Sequence, residues 1–145
     1  VGNLFGGELL ARMDRAASIA ARRHCRRIVT TVSVNHVAFS KMIPLGSVVT
    51  IEAKVSRAFK SSMEVVMDIW IEDRESGMRN KSNEGIYTFV AVDESGQPVP
   101  VPLLIPESDL EKERFKAALR RRQLSLVIAG KMKPAEATEL IALFK

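Results

Sequence analysis

Asp14 is the residue whose surroundings most need explaining. It lies within Gly6-Gly7-Glu8-Leu9-Leu10-Ala11-Arg12-Met13-Asp14-Arg15-Ala16-Ala17, a stretch that runs on to His24 with good helix formers, little β-branching and no proline. Wound at about 100° per residue, it puts Arg12, Arg15, Arg22 and Arg23 on one arc with Glu8, and Gly7, Leu10, Ala11, Ala17 and Ala21 on the opposite arc. Asp14 falls in the middle of that second arc. An ionised carboxylate among small and apolar residues is costly unless it is paired or hydrogen-bonded. It is therefore a hydrogen-bonded core aspartate, an aspartate at an oligomer seam, or a catalytic base. Gly7 and Asp14 are seven residues apart and so share nearly one line of the helix, two turns apart. Free N–H groups at a helix start bind anionic oxygen. An oxyanion developing there, with Asp14 as base, is a layout for acyl transfer.

The remaining reactive side chains are less suggestive. The Asn3 amide can orient a water or a substrate, although asparagine ahead of a glycine pair is ordinary loop chemistry. His24 and Cys25 are adjacent on a helix end and do not face each other, so they make no nucleophile–base pair. His36 stands alone. The two histidines and the single cysteine form no cluster with metal-ligand spacing, and there is no Walker or dinucleotide glycine motif. No metal and no cofactor are expected.

The elements that must position Asp14 follow in order. Ile28 to Val34 is β-branched and reads as a strand; Phe39 to Gly46 is a turn segment. Ser47 to Phe59 alternates Val49, Ile51, Ala53 and Val55 with polar residues, and Lys60-Ser61-Ser62 interrupts it. Met63 to Glu72 follows, with Val65, Met67 and Ile69 on one face. Ser76-Gly77 turns the chain into Lys81 to Asp93. An antiparallel meander around the long helix is the simplest topology. Pro98 to Pro106 holds four prolines and reads as an extended arm. Ser108, with Glu111 three residues on, is a capping-box start for a helix to Ala129, stopped by Gly130. Arg120-Arg121-Arg122 on that helix reads as a solvated face. Pro134 opens a last helix, Ala135 to Phe144.

The pattern G-N-x-x-G-G-x-L-x-x-x-M-D-x-A-A, with Thr88-Phe89-Val90-Ala91-Val92-Asp93 downstream, resembles the hotdog-fold acyl-CoA thioesterases. The closest types are the bacterial YciA-like enzymes and the cytosolic acyl-CoA hydrolases of animals. The resemblance implies an α+β hotdog fold: a long central helix wrapped by an antiparallel β-sheet. Residues 1–106 would form the thioesterase domain, short of the strand that precedes the G-N motif in relatives, and 107–145 a C-terminal helical extension. It implies catalysis by Asp14, as general base or nucleophile, with Asn3 assisting and the Gly6 and Gly7 N–H groups polarising the thioester carbonyl. It places Lys60, Ser61 and Ser62 along the pantetheine arm; Arg57 and Lys60 are candidates for phosphate contact. Coenzyme A is then part of substrate and product, not a cofactor. The relatives with two repeats draw their Asn and Asp from different repeats. A homo-oligomer, a dimer or a trimer of dimers, is therefore expected here.

Composition agrees with that reading. A chain of 145 residues with 46% hydrophobic content can bury a core, and its formal charge of +5 favours anionic partners. With one Trp, one Tyr and no nucleic-acid motif, no nucleic-acid partner is expected. There is no signal peptide and no apolar run of membrane length, so no membrane partner is expected either. A single cysteine excludes an internal disulfide framework and fits a reducing compartment, so the expected location is cytoplasmic. A non-catalytic acyl-CoA or nucleotide-binding module on the same fold is the alternative. It would have no need of a carboxylate at the thioester.

Overall fold

The structure, a computed structural model, describes residues 6–35, 37 and 41–145. The positions of Asn3, His36 and Phe39 lie outside them. Two compact units divide the chain, Val1–Leu103 and Leu104–Lys145.

The first unit begins with helix α1, Gly6–Cys25. Gly6 and Gly7 are already inside its first turn. Every fourth residue is buried: Leu9, Met13, Ala17, Ala21 and Cys25 form the apolar seam. Asp14 is therefore on the shoulder of the buried stripe and not at its centre, and Gly7 is exposed. The true seam runs through Leu9 and Met13, so it is rotated from the arc the sequence predicts. Small residues such as Ala11 weigh little against a large side chain seeking burial. The helix ends on Arg26, which takes a left-handed conformation at φ 57° and donates its N–H to the Arg22 carbonyl at 2.7 Å.

Four strands follow: β1 (Ile28–Asn35), β2 (Val48–Ala58), β3 (Ser62–Glu72) and β4 (Arg79–Val92). All neighbours are antiparallel, in the order β1-β4-β3-β2. β2, β3 and β4 form the expected antiparallel meander, and β1 departs from it by joining at β4. β2 does not pair with β1 but lies at the far edge, so the sheet closes by β4 returning beside β1. The helix contacts all four strands.

The inner row of the sheet is buried and largely apolar: Met63, Val65, Met67 and Ile69 on β3 pair with Phe89, Tyr87, Gly85 and Asn83 on β4. At Gly85 the helix leaves no room for a side chain: any Cβ would collide with Met13 Cε. The other row of β3 is buried from Ser62 to Asp68, and its acidic residues beside Val66 are paired. Ser56 Oγ donates to Glu64 Oε1 at 2.6 Å, and Lys81 Nζ meets Asp68 Oδ1 at 2.8 Å. After β4 the proline arm interleaves free N–H groups between its prolines: Val99 donates to the Ala91 carbonyl and Val101 to the Lys60 carbonyl, both at 2.9 Å.

The second unit holds α2 (Asp109–Ile128), a 3-10 turn (Pro134–Glu136) and α3 (Thr138–Ala142). The Ser108 hydroxyl caps α2 by accepting from the Glu111 N–H at 3.1 Å. The single helix predicted over 135–144 is in fact two pieces. Ala137, at ψ 68°, leaves the helical region between them. The second piece is started by α2: buried Gln123 Oε1 accepts from the N–H groups of Glu139 and Leu140 at 2.9 and 3.0 Å. No described helix is long and apolar enough to cross a membrane.

Candidate active site

Asp14 is held from the sheet. Thr31 Oγ1, on edge strand β1, donates to Asp14 Oδ1 at 2.7 Å. From the next strand, β4, Tyr87 donates its hydroxyl to the Leu10 carbonyl at 3.0 Å. Leu10 stands four residues before Asp14, so in the helix its carbonyl also takes the Asp14 N–H. One strand thus grips the carboxylate and its neighbour grips the turn that carries it. Burial, helped by the negative charge of Asp14, pushes the Tyr87 hydroxyl up to about 12. It remains a donor at neutral pH. The sequence reading missed both Thr31 and Tyr87. Each is an ordinary strand residue, and only the register of the helix against β1 and β4 singles them out.

Gly7 shares the side of α1 on which Asp14 lies. Seven residues of rise put them about 10 Å apart along the axis, and the N-terminal tilt of helical side chains shortens that gap. A cleft at the helix start opens elsewhere. It encloses about 530 Å³ beside β2, between Glu8, Leu9 and Arg12 and the segment Ile43–Ser47, and Asp14 does not line it. That cleft is therefore not one that the helix start shares with Asp14. Asp14 instead faces β1.

The other candidates gather at one end of the sheet. Thr31, Phe89 and Met63 form one cross-strand row, which puts Ser62 two strands, about 10 Å, from Thr31. Ser62 is buried; Ser61 accepts the Ala91 N–H through its carbonyl at 2.9 Å, and Lys60 is exposed. Arg57 lies over the Phe59 ring, 5.8 Å from its centroid. Residues 101–102 tie this end to the helix: the Lys60 carbonyl takes the Val101 N–H, and His24 Nε2 meets the Pro102 carbonyl at 2.8 Å. His24 is thus engaged with backbone and not with Cys25. Among the described residues no group of three His, Cys, Asp or Glu has the spacing of a metal site.

The sequence profile of the thioesterase superfamily matches residues 1–78. The chain belongs to the thioesterase superfamily. A curated relative of this thioesterase chain is the Bacillus subtilis protein YkhA, named an uncharacterized acyl-CoA thioester hydrolase. It is 41% identical over 118 residues, 81% of this chain and 69% of its own. Among solved structures, the Staphylococcus aureus acyl-CoA hydrolase bound to butyryl coenzyme A and coenzyme A is 35% identical, with a TM-score of 0.81, over 97% of this chain and 85% of that one. An apo-hexameric acyl-CoA thioesterase is 33% identical, with a TM-score of 0.84, over 89% and 83%. The fold is the hotdog fold. The S. aureus enzyme was also solved with one aspartate, one threonine or one asparagine replaced by alanine. Its aspartate and threonine stand seventeen residues apart, the separation of Asp14 and Thr31. Its asparagine precedes the aspartate by fifteen residues, whereas Asn3 precedes Asp14 by eleven.

Proposed function

We propose that this thioesterase chain hydrolyses fatty acyl-CoA to a free fatty acid and coenzyme A. The observation that carries the proposal is the Thr31–Asp14 pair: a half-buried carboxylate fixed by a strand hydroxyl at the spacing singled out in a coenzyme A-bound relative.

In this reading Asp14 removes a proton from water as that water attacks the thioester carbonyl carbon. The carbon–sulfur bond breaks when the tetrahedral adduct collapses, and the thiolate leaves as coenzyme A. Direct attack by the carboxylate, through an anhydride that water then opens, uses the same residue and the same geometry. The exposed N–H of Gly7, with that of Gly6, carries the developing oxyanion, favoured by the positive end of α1. Thr31 holds the Asp14 oxygen that does not take the proton. Asn3, out of register with the asparagine replaced in the S. aureus enzyme, orients substrate. Lys60, Ser61 and Ser62 lie along the pantetheine arm, with Arg57 and Lys60 toward phosphate. The chain acts as a homo-oligomer in the cytoplasm. The edge strand β1, which leaves Ile28, Val32 and Val34 exposed beside the site, is consistent with a partner there.

A non-catalytic acyl-CoA-binding module would need no strand hydroxyl fixing a carboxylate. The two readings separate in an assay of free thiol released from acyl-CoA substrates of increasing chain length. Turnover that depends on Asp14 supports hydrolysis; binding without turnover at any length supports the module.

A further inference from the structure

The solvent face of α1 ends in a charge arrangement that the hydrolase reading does not use. Ile19, Arg22, Arg23 and Arg26 line a shallow cleft of about 380 Å³. Ile19 is 56% exposed, a large apolar side chain on the face opposite the buried seam. It is three and four residues from Arg22 and Arg23 and four from Arg15, so guanidinium groups ring it. None of Arg22, Arg23 and Arg26 is ion-paired among the described residues, which include every Asp and Glu of the chain. Other arginines of this unit are engaged: Arg12 with Glu8 at 3.0 Å, Arg79 with Glu52 at 2.8 Å. Asp93, one residue past Val92, which pairs with Ile28 at the start of β1, is taken up by its own turn, accepting the N–H groups of Ser95 and Gln97 at 2.9 Å.

The helix C-terminus attracts a cation or two. That does not account for three arginines converging on one cleft, since like charges at this spacing repel. Nor does it account for Arg26. A left-handed residue just past a helix end is usually glycine, and any side chain there costs about 1 kcal/mol. Arg26 accepts that conformation at φ 57°, and with it its side chain joins the cleft. Planar guanidinium forks match phosphate oxygens in pairs, and an apolar surface between them suits the face of a base.

We infer that this cleft is a seat for a phosphate-bearing nucleotide, with Arg22, Arg23 and Arg26 on the phosphates and Ile19 against the base. It lies on the far side of α1 from Asp14, so it is separate from the site of thioester cleavage in the same chain. The nucleotide is either free or the nucleotide end of a coenzyme A molecule; the chemistry of the seat is the same.

Titration calorimetry of the whole chain with ADP, adenosine 3′,5′-bisphosphate and inorganic phosphate tests the inference without reference to hydrolysis. The wild type should bind a nucleotide more tightly than phosphate, and more weakly as salt rises. Arg22→Gln with Arg23→Gln should weaken nucleotide binding at least about tenfold, the loss of charge-assisted bonds. Arg26→Gly is the sharper variant. Glycine is at ease at φ 57°, so its Tm should equal or exceed that of wild type while nucleotide affinity falls. Asp14→Asn should bind nucleotide as the wild type does, which keeps this test apart from the hydrolase proposal. If KM for acyl-CoA rises in the arginine variants at unchanged kcat, the nucleotide is that of coenzyme A; if KM stays fixed while ADP binding is lost, it is a free nucleotide. A wild type that binds neither nucleotide at millimolar concentration, or arginine variants that bind as tightly as wild type, would overturn the inference.

Discussion

Thr31 Oγ1 and Asp14 Oδ1 lie 2.7 Å apart, joining the edge strand to the helix at the only carboxylate on the helix's inner side. A hydrogen bond to a charged group contributes about 1.5–3 kcal/mol when buried, and Asp14 is only half-buried. Thr31→Val should therefore lower kcat by roughly tenfold, with little change in KM. Thr31→Ser, which keeps the hydroxyl, should recover most of the loss. Steady-state kinetics of the two variants checks this; equal losses would assign Thr31 a packing role instead.

Tyr87 acts on stability at high pH. Its hydroxyl is pushed up to about 12 in the folded chain, above the ordinary value of 10.0. Between those values the unfolded chain loses the proton first, so the folded state binds more protons and stability falls as pH rises. Its contribution is full below about pH 10 and is lost through about pH 12. Tyr87→Phe should cost about 1 kcal/mol at neutral pH through the bond to the Leu10 carbonyl. It should also flatten the alkaline decline in that window. Denaturant unfolding of both proteins from pH 8 to 12 measures the difference.

At Gly85 on β4 the Met13 side chain of the helix packs directly on the strand backbone. A methyl group there meets Met13 Cε first, with Val37 Cγ2 and Met67 Cε behind it at 3.5 and 3.8 Å. Gly85→Ala should destabilise by about 1–3 kcal/mol, near the lower end because the end of a methionine can move. Met13 immediately precedes Asp14, so kcat should fall as well. Adding Met13→Ala should give a double variant less damaged than the sum of the singles.

Asn3 and Asp14 should differ in weight. Asn3→Ala is expected to lose under about tenfold in kcat/KM, as for an orienting contact, and to change KM at least as much as kcat. Asp14→Ala should be nearly inactive. Refolding the two variants together tests whether sites are shared between subunits. If Asn3 of one subunit serves Asp14 of another, mixed dimers regain one intact site of two; if both act in one chain, nothing is restored.

Much of this was legible in the residues. The run from Gly6 to Cys25 without proline announces α1, β-branching announces β1, and Ser108 with Glu111 announces the start of α2. Asp14 stands out because a carboxylate is costly on an arc with Leu10, Ala11, Ala17 and Ala21, although the seam that is actually buried runs through Leu9 and Met13. What the sequence hides is register. The pairing of β1 with β4, and hence Thr31 and Tyr87 meeting the helix, depends on contacts 17 and 77 residues apart that no local pattern encodes. The break at Ala137 is hidden for the same reason. Beyond it the start of α3 is satisfied by Gln123, a polar side chain on another helix. A lone glycine in a strand is a readable sign of close backbone approach, and Gly85 carries it.

The most direct test of the account is turnover by Asp14→Asn, measured as thiol release from an acyl-CoA that the wild type hydrolyses. Circular dichroism and coenzyme A binding are followed in parallel. The amide keeps the shape and still accepts from Thr31, but cannot take a proton from water. The expected result is a kcat lower by about two to four decades, with fold and coenzyme A affinity unchanged. A kcat within about threefold of wild type would contradict the assignment of Asp14 as the catalytic carboxylate.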